Sequence, residues 1–288
     1  MKVLVTGVTG QLGWDVMRVL RARGAEAVGA TRDEMPLDEP ARAGAFVRET
    51  RPDAVIHCAA YTAVDRAEDE RALCHTVNAE STGAIAAACE DVGAKLVYIS
   101  TDYVFPGTGE TFYETDDGTG PCNVYGASKL AGERAARKAM RSGRFFIVRT
   151  SWVFGAHGKN FIRTILGLAK TRNTLTVVDD QIGSPTYTAD LAVLLVDMAE
   201  SEKFGVYHAT NEGVCSWAKL AAEAIRLRGF RTKVTPVSSA MYPTKAARPK
   251  NSRLSKASLD EGGFSRLPDW KDAVKRYLAE METTEEKA

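Results

Sequence analysis

Short unbroken apolar runs recur through the first half of the chain. Residues 1–5 (Met1-Lys2-Val3-Leu4-Val5), 25–30, 54–60, 95–100 and 145–149 each read as a strand buried on both faces. Between the runs the spacing turns helical. Trp14, Met17, Val19 and Leu20 mark the apolar positions of a first helix, and an alanine-rich helix is expected over 79–92, ended by Gly93. Strands and helices alternating in this rhythm predict an α/β fold, a Rossmann-like doubly wound parallel sheet. A late run at 206–209 is expected to return to that sheet, so that a smaller C-terminal domain interleaves with the first.

The first strand runs into Gly7, Gly10 and Gly13 and then directly into a helix. In that context Gly7 allows a tight turn, Gly10 lets backbone approach a pyrophosphate, and Gly13 permits close helix packing. The helix N-terminus would supply oriented N–H groups for the anion. Ligands of such sheets bind beyond the carboxyl ends of the strands. Three of those ends are polar or otherwise unusual: Ala59-Ala60-Tyr61-Thr62, Ser100-Thr101-Asp102-Tyr103 and Arg149-Thr150-Ser151-Trp152. We therefore assign residues 1–151 and 186–212 to an NAD(P)-binding domain, and 152–185 and 213–288 to a substrate domain.

The second chemical signal is Tyr125-Gly126-Ala127-Ser128-Lys129. Four residues apart on a helix, Tyr125 and Lys129 share one face. A tyrosine hydroxyl with a reference pKa near 10 is a poor acid at neutral pH, and a cation alongside would pull it toward the working range. Such a tyrosine could give a proton to a carbonyl oxygen as hydride reaches the carbon. Thr101 is the third candidate, a hydroxyl able to stabilise the developing oxyanion.

Composition permits this chemistry. A chain of 288 residues with 44% hydrophobic and 26% charged content suits a globular protein of one large or two smaller domains. A net charge of +1 argues against a nucleic-acid partner, and no run approaches the length needed to span a bilayer. Cys58, Cys74, Cys89, Cys122 and Cys215 show no Cys-x-x-Cys, and with no secretory signal they read as reduced, cytoplasmic thiols. His57, His75, His157 and His208 lack metal-ligand spacing, and no metal site is expected. Residues 179–186 form a polar loop with glycine and proline that could close over a cleft, while Trp217 and Trp270 are expected to pack small helices. Arg248, beside Pro249, is a candidate partner for a diphosphate.

With these pieces assembled, the chain resembles the extended short-chain dehydrogenase/reductase superfamily, and within it the dTDP-4-dehydrorhamnose reductase family. The matching blocks run in order through Thr9-Gly10-Gln11-Leu12-Gly13, residues 59–65, residues 100–105, Asn123-Val124-Tyr125-Gly126, residues 149–153, Asn160-Phe161, residues 180–186 and residues 248–252. The resemblance implies reduction of the 4-keto group of dTDP-4-dehydro-L-rhamnose, a nucleotide sugar, to dTDP-L-rhamnose with NADPH, NADH being possible. It implies Tyr125 as proton donor, Lys129 as its modulator and ribose ligand, and Thr101 as polariser of the carbonyl. Gly7, Gly10, Gln11, Leu12, Gly13, Ala59, Ala60, Tyr61 and Thr62 would hold the cofactor, with Asp38 by the adenine. Asp102, Tyr103, Val104, Trp152, Asn160 and Arg248 would line the sugar nucleotide. Arg32 could pair with a 2′-phosphate, whereas Asp33 and Glu34 beside it favour a free 2′-hydroxyl. A metal-bridged dimer is not expected, because Asp15 is present but Ala189 follows Thr186 where an acid would be needed; a monomer or homodimer is. The rival readings are a related keto-sugar enzyme and a regulatory subunit that partners methionine adenosyltransferase. Asp102-Tyr103 after Thr101, in place of Asp-Glu, argues against a dehydratase.

Overall fold

Alternation of side chains in Val3, Leu4 and Val5 sends them to opposite faces of one strand, and both faces are buried. The computed structural model describes residues 1–285. In chain order its first half comprises β1 (Lys2–Thr6), α1 (Gln11–Ala22), β2 (Glu26–Ala30), α2 (Pro40–Thr50), β3 (Ala54–His57), two short helices α3 (Val64–Ala67) and α4 (Arg71–His75), a π-helical turn (Thr76–Glu80), α5 (Ser81–Val92), β4 (Lys95–Thr101), α6 (Val124–Ala139) and β5 (Phe145–Thr150). The second half adds β6 (Val153–Phe154), α7 (Phe161–Ala169), β7 (Thr174–Val178), β8 (Ile182–Gly183), β9 (Thr186–Tyr187), α8 (Thr188–Glu200) and β10 (Gly205–His208). It ends with β11 (Asn211–Glu212), β12 (Cys215–Ser216), α9 (Trp217–Leu227), β13 (Lys233–Val237), β14 (Asn251–Ser252), α10 (Ala257–Glu261), β15 (Leu267–Asp269) and α11 (Trp270–Glu285).

Six of these strands build one parallel sheet in the order β10-β5-β4-β3-β1-β2. Val3, Val5, Phe146 and Val148 pack on one face against Val16 and Leu20 of α1 and Leu191 and Leu195 of α8. Leu4, Leu96 and Ile147 pack on the other face against Val47 of α2, Ile85 of α5 and Ala136 of α6. The sheet is thus doubly wound, and strand order reverses between β1 and β3, the position where such sheets open a crevice. The run at 206–209 does rejoin this sheet, as β10 beside β5.

Further along, α7, α9 and α11 share a separate apolar cluster around Phe154, Leu220, Tyr277 and Leu278. Beside it lie small two- and three-stranded sheets. The segment 179–186, expected as a closing loop, is tied down. β8 pairs with both β12 and β14, and the Ile182 N–H donates to the Lys250 carbonyl at 2.9 Å. Two further expectations shift. The third strand stops at His57 rather than continuing to residue 60, and α5 begins at Ser81 after the π-helical turn. Trp14 is not a core residue of α1: it is 38% exposed and stacks on His157 at 5.4 Å.

The turn from β1 to α1 leaves no room at Gly13, where a β-carbon would lie 2.3 Å from the Gly7 carbonyl oxygen. Backbone on both sides prevents relief. Gly13→Ala is expected to cost about 1–3 kcal/mol of stability through overpacking, read by urea unfolding; an unchanged midpoint would contradict this packing.

Candidate active site

Gly7 adopts a φ of 70°, the left-handed turn its position requires, and a β-carbon there would come within 2.9 Å of the Ala59 backbone. The ends of β1 and β3 therefore close on each other at the switch point. Gly10 is the N-cap of α1, its N–H bonded to the Gly7 carbonyl at 2.9 Å, and no side chain caps the helix. The first amides of α1, from Gln11, Leu12 and Gly13, are left for an anion in the crevice.

Thr6 and His57 join across this crevice through Thr6 Oγ1 and His57 Nδ1 at 2.8 Å, and Thr6 Oγ1 accepts the Ala59 N–H. Burial keeps His57 neutral, pushing its pKa down to about 3. The segment Ala59-Ala60-Tyr61-Thr62 is held by Asn78, which sequence reasoning missed. Asn78 accepts the Tyr61 N–H at 2.8 Å and donates to the Tyr61 carbonyl and to Ser128 Oγ. A side chain with both donors and an acceptor was needed there, but the helical pattern around it masked the π-helical turn. Asp38 and Arg32 form an exposed pair at 3.6 Å. Glu34 folds back to accept both the N–H and the hydroxyl of Thr31 at the end of β2.

Tyr125 and Lys129 sit in α6, whose N-terminus is fixed by Asn123. Its Oδ1 accepts the Gly126 N–H at 2.8 Å, and its amide donates to the Ala247 carbonyl. Gly126 lets α6 lie hard against the end of β4: a β-carbon there would stand 2.2 Å from the Tyr103 carbonyl oxygen. The result brings Tyr125 to Thr101. The Thr101 hydroxyl holds the phenol's pKa down in part, while burial drives it well above the usual tyrosine value, the nearby Asp102 and Cys74 adding to the rise. Tyr103 meets the Tyr125 ring edge-on at 5.7 Å.

Two of these groups are engaged by neighbours of their own. Lys129 sits one turn further along α6. Its ammonium lies over the Tyr98 ring at 4.1 Å, and burial lowers its own pKa to about 7 against the attraction of Glu133. The Thr101 hydroxyl, expected to face a substrate carbonyl, donates to Asp102 Oδ1 at 2.9 Å. Asp102 is buried, and burial raises its pKa to about 6. Its Oδ2 makes no close hydrogen bond among the described residues, although the Ser252 hydroxyl stands near the carboxyl and moderates the rise. A buried acceptor without a close donor is a ready contact for a further hydroxyl.

On the far side of the cleft, Trp152 has a φ of 48°, unusual for a bulky residue, and stacks on Trp217 at 3.8 Å. Trp217 is thus a support for the candidate site as well as a packing residue. Val104 is fully buried and packs with Phe105 and Leu130, which places it behind the site. Asn160 is elsewhere: its amide donates to Gln11 Oε1, to the Gly155 carbonyl and to Tyr277, and its Oδ1 caps α7. It joins the start of α1 to α7 and α11, and no hydrogen bond links it to Thr101 or Asp102. Gln11 is correspondingly committed, its side chain also accepting the Gly155 N–H.

Arg248 bonds Asp65 through Nη2 at 2.7 Å, while its buried Nη1 has no partner among the described residues. Its charge is felt at Tyr103, which places it beside the site. It lines a cavity of about 490 Å³ with Gly107, Cys122, Lys250 and Arg253, where Glu110 and Asp180 also stand. Asp15 is no metal ligand candidate, being buried and bonded to Thr188 and Arg18. No cluster suited to a metal ion occurs among the described residues, and none of their helices is long and apolar enough to cross a membrane.

Known proteins match this chain over almost its whole length. A dTDP-4-dehydrorhamnose reductase of Burkholderia thailandensis is 42% identical, over 95% of this chain and 97% of its own length. The crystal structure of a dTDP-4-dehydrorhamnose reductase from Clostridium acetobutylicum superposes with a TM-score of 0.94 at 37% identity, covering 98% of this chain and 100% of that one. That of a dTDP-4-dehydrorhamnose reductase from Bacillus anthracis, in complex with NADP, gives 0.93 at 40% identity over 97% of this chain and 100% of that one. The family model described as the RmlD substrate binding domain matches residues 1–283, and the chain belongs to that family.

Proposed function

We propose that this chain is an NAD(P)H-dependent reductase that converts the 4-keto group of dTDP-4-dehydro-L-rhamnose to the alcohol of dTDP-L-rhamnose. The carrying observation is the meeting of Thr101 and Tyr125 at the end of β4, with Lys129 one turn further along α6 and the glycine turn at the end of β1 in the same sheet. Relatives matched over their full length carry the same reductase name, and one is solved with NADP. The residues at the switch point fit a dinucleotide: the Gly7 and Gly13 positions exclude any side chain, and the uncapped start of α1 offers amides to a pyrophosphate.

Bound there, the reduced nicotinamide supplies the hydride. The protein supplies the proton. A neutral Tyr125, its pKa raised by its surroundings, is in the correct state to donate it to the carbonyl oxygen, because a donor must still hold its proton when the hydride arrives. Lys129, in the same column of α6, stabilises the phenolate left behind. Asp102 Oδ2 takes a sugar hydroxyl, and Trp152 on Trp217 forms an apolar wall for the ring. Arg248, Lys250 and Arg253 face the diphosphate, and the free Nη1 of Arg248 makes it the principal contact.

Residues 1–151 with 186–212 serve the cofactor, and 152–185 with 213–288 serve the sugar nucleotide. Incorporation of β10 into the main sheet supports this interleaved division. The free cysteines suit a reducing cytoplasm. Arg32 is open to a 2′-phosphate, at 80% side-chain exposure, which supports NADPH with NADH as a second donor.

Arg248→Gln is expected to raise KM for the sugar nucleotide on the order of tenfold or more, from loss of a charge-assisted contact of about 1.5–3 kcal/mol, with little change in the NADPH KM. Equal rises in both would contradict the assignment. The reading as a whole is tested by nicotinamide absorbance. NADPH should be consumed only when dTDP-4-dehydro-L-rhamnose is present; bound cofactor without consumption would overturn it.

A further inference from the structure

Below Lys129 the inward face of α6 continues to a third functional side chain. Tyr125, Lys129 and Glu133 stand four residues apart, in one column on the helix. Glu133 is clamped. Arg149 reaches it with two parallel bonds, Nη2 to Oε2 at 2.8 Å and Nε to Oε1 at 2.9 Å, and Ser100 Oγ donates to Oε1 at 2.5 Å. The carboxylate and guanidinium side chains are 2% and 4% exposed. Ser100 and Arg149 face each other in the β4–β5 register, one residue before Thr101 and Thr150. Arg149 is itself held by the Thr115 carbonyl at 3.0 Å, the Phe105 ring and neutral His208.

A buried ion pair contributes little to stability compared with an apolar replacement, since both charges lose their water. Its position suggests another use. Lys129 is buried among groups that cannot balance its charge. Burial keeps His57 and Cys58, at the end of β3, neutral, the latter with its pKa near 12; it also raises the Cys74 thiol of α4 and the phenols of Tyr98 and Tyr125. Of the groups that act on Lys129, Glu133 has the largest favourable influence and is the one held in an ion pair.

We propose that Glu133, fixed by Arg149 and Ser100, is a positioning residue for the reduction: it keeps Lys129 an ammonium and aligned behind Tyr125. This rests on the reductase reading above. Removing the carboxylate lets Lys129 lose its proton at lower pH, so both the ribose contact and the stabilised phenolate fail earlier as pH rises.

The test is the double variant Glu133→Gln/Arg149→Met, which removes both charges and leaves neither buried alone. The pH dependence of kcat and of the NADPH dissociation constant, the latter by fluorescence, is compared with wild type. The alkaline limb of both is expected to move down by at least one pH unit, with near wild-type values recovered below the displaced limb. A folded double variant with both limbs at their wild-type positions would overturn the proposal, because a purely structural role lowers stability without moving a pH limb. Glu133→Asp, which withdraws the carboxylate by one methylene, gives the second arm if the double variant fails to fold. A partial shift is expected, and no shift refutes the role. Should wild type consume no NADPH with the keto sugar, the reductase reading fails, while the pH limb of cofactor binding still decides the role of Glu133.

Discussion

Tyr125→Phe is expected to lower kcat on the order of 10²–10⁴-fold while leaving the NADPH dissociation constant within about twofold of wild type. General-acid catalysis of this kind contributes that much. The phenylalanine ring can keep the edge-on contact with Tyr103 and the helix packing set by Gly126, so the fold should be undisturbed. Only the proton is lost. Burial raises the pKa of the neighbouring Tyr98 and Cys58 and keeps His57 neutral, so none of the three is a ready acid in its place. Single-turnover kinetics with bound NADPH separates the chemical step from release. Near-normal turnover would remove Tyr125 from its role.

The largest stability effect is expected from Arg149→Met. It strips the ion-pair partner from a carboxylate that is nearly inaccessible and leaves Glu133 the hydrogen bond from Ser100 and the more distant charge of Lys129. Breaking a buried pair on one side costs about 3–5 kcal/mol, because the remaining charge cannot be rehydrated. Adding Glu133→Gln should recover most of the loss, giving a strong coupling between the two sites in a double-mutant cycle. Urea unfolding measures both. A loss below about 1 kcal/mol for the single variant, the range of exposed pairs, would mean that water reaches the carboxylate.

Much of the sheet was legible because its strands are buried on both faces and so stand out as unbroken apolar runs. β1, β4, β5 and β10 fall within a residue or two of their expected limits. The return of β10 could be expected for the same reason. What sequence did not reveal was set by contacts between distant segments. Asn78 lies in a π-helical turn inside an otherwise helical stretch, and its value comes from meeting Tyr61 and Ser128. Asn160 sits within a family block, yet its amide is spent on Gln11 and Tyr277, distant residues that only the fold brings near. Trp14 keeps helical apolar spacing but lies on the rim of α1, where His157 covers one face.

The pair Tyr125 and Lys129 illustrates the limit most clearly. Spacing placed Tyr125 and Lys129 on one face, and they are. Their acidities depend on burial, which spacing does not encode. Sequence logic expected a lysine lowering a tyrosine; the surroundings of the two add influences of their own, raising the phenol and lowering the amine. Glu133 could have been read from the four-residue column, but its importance depends on Arg149 crossing from β5.

The most direct measurement is isotope transfer. Purified protein is mixed with dTDP-4-dehydro-L-rhamnose and NADPH deuterated at the transferable position of the nicotinamide, and the product is analysed by NMR and mass spectrometry. A single deuterium at C4 of dTDP-L-rhamnose, formed in step with NADPH consumption and lost with Tyr125→Phe, is the expected result. Product without deuterium, or deuterium at another carbon, would contradict reduction of the 4-keto group by this site.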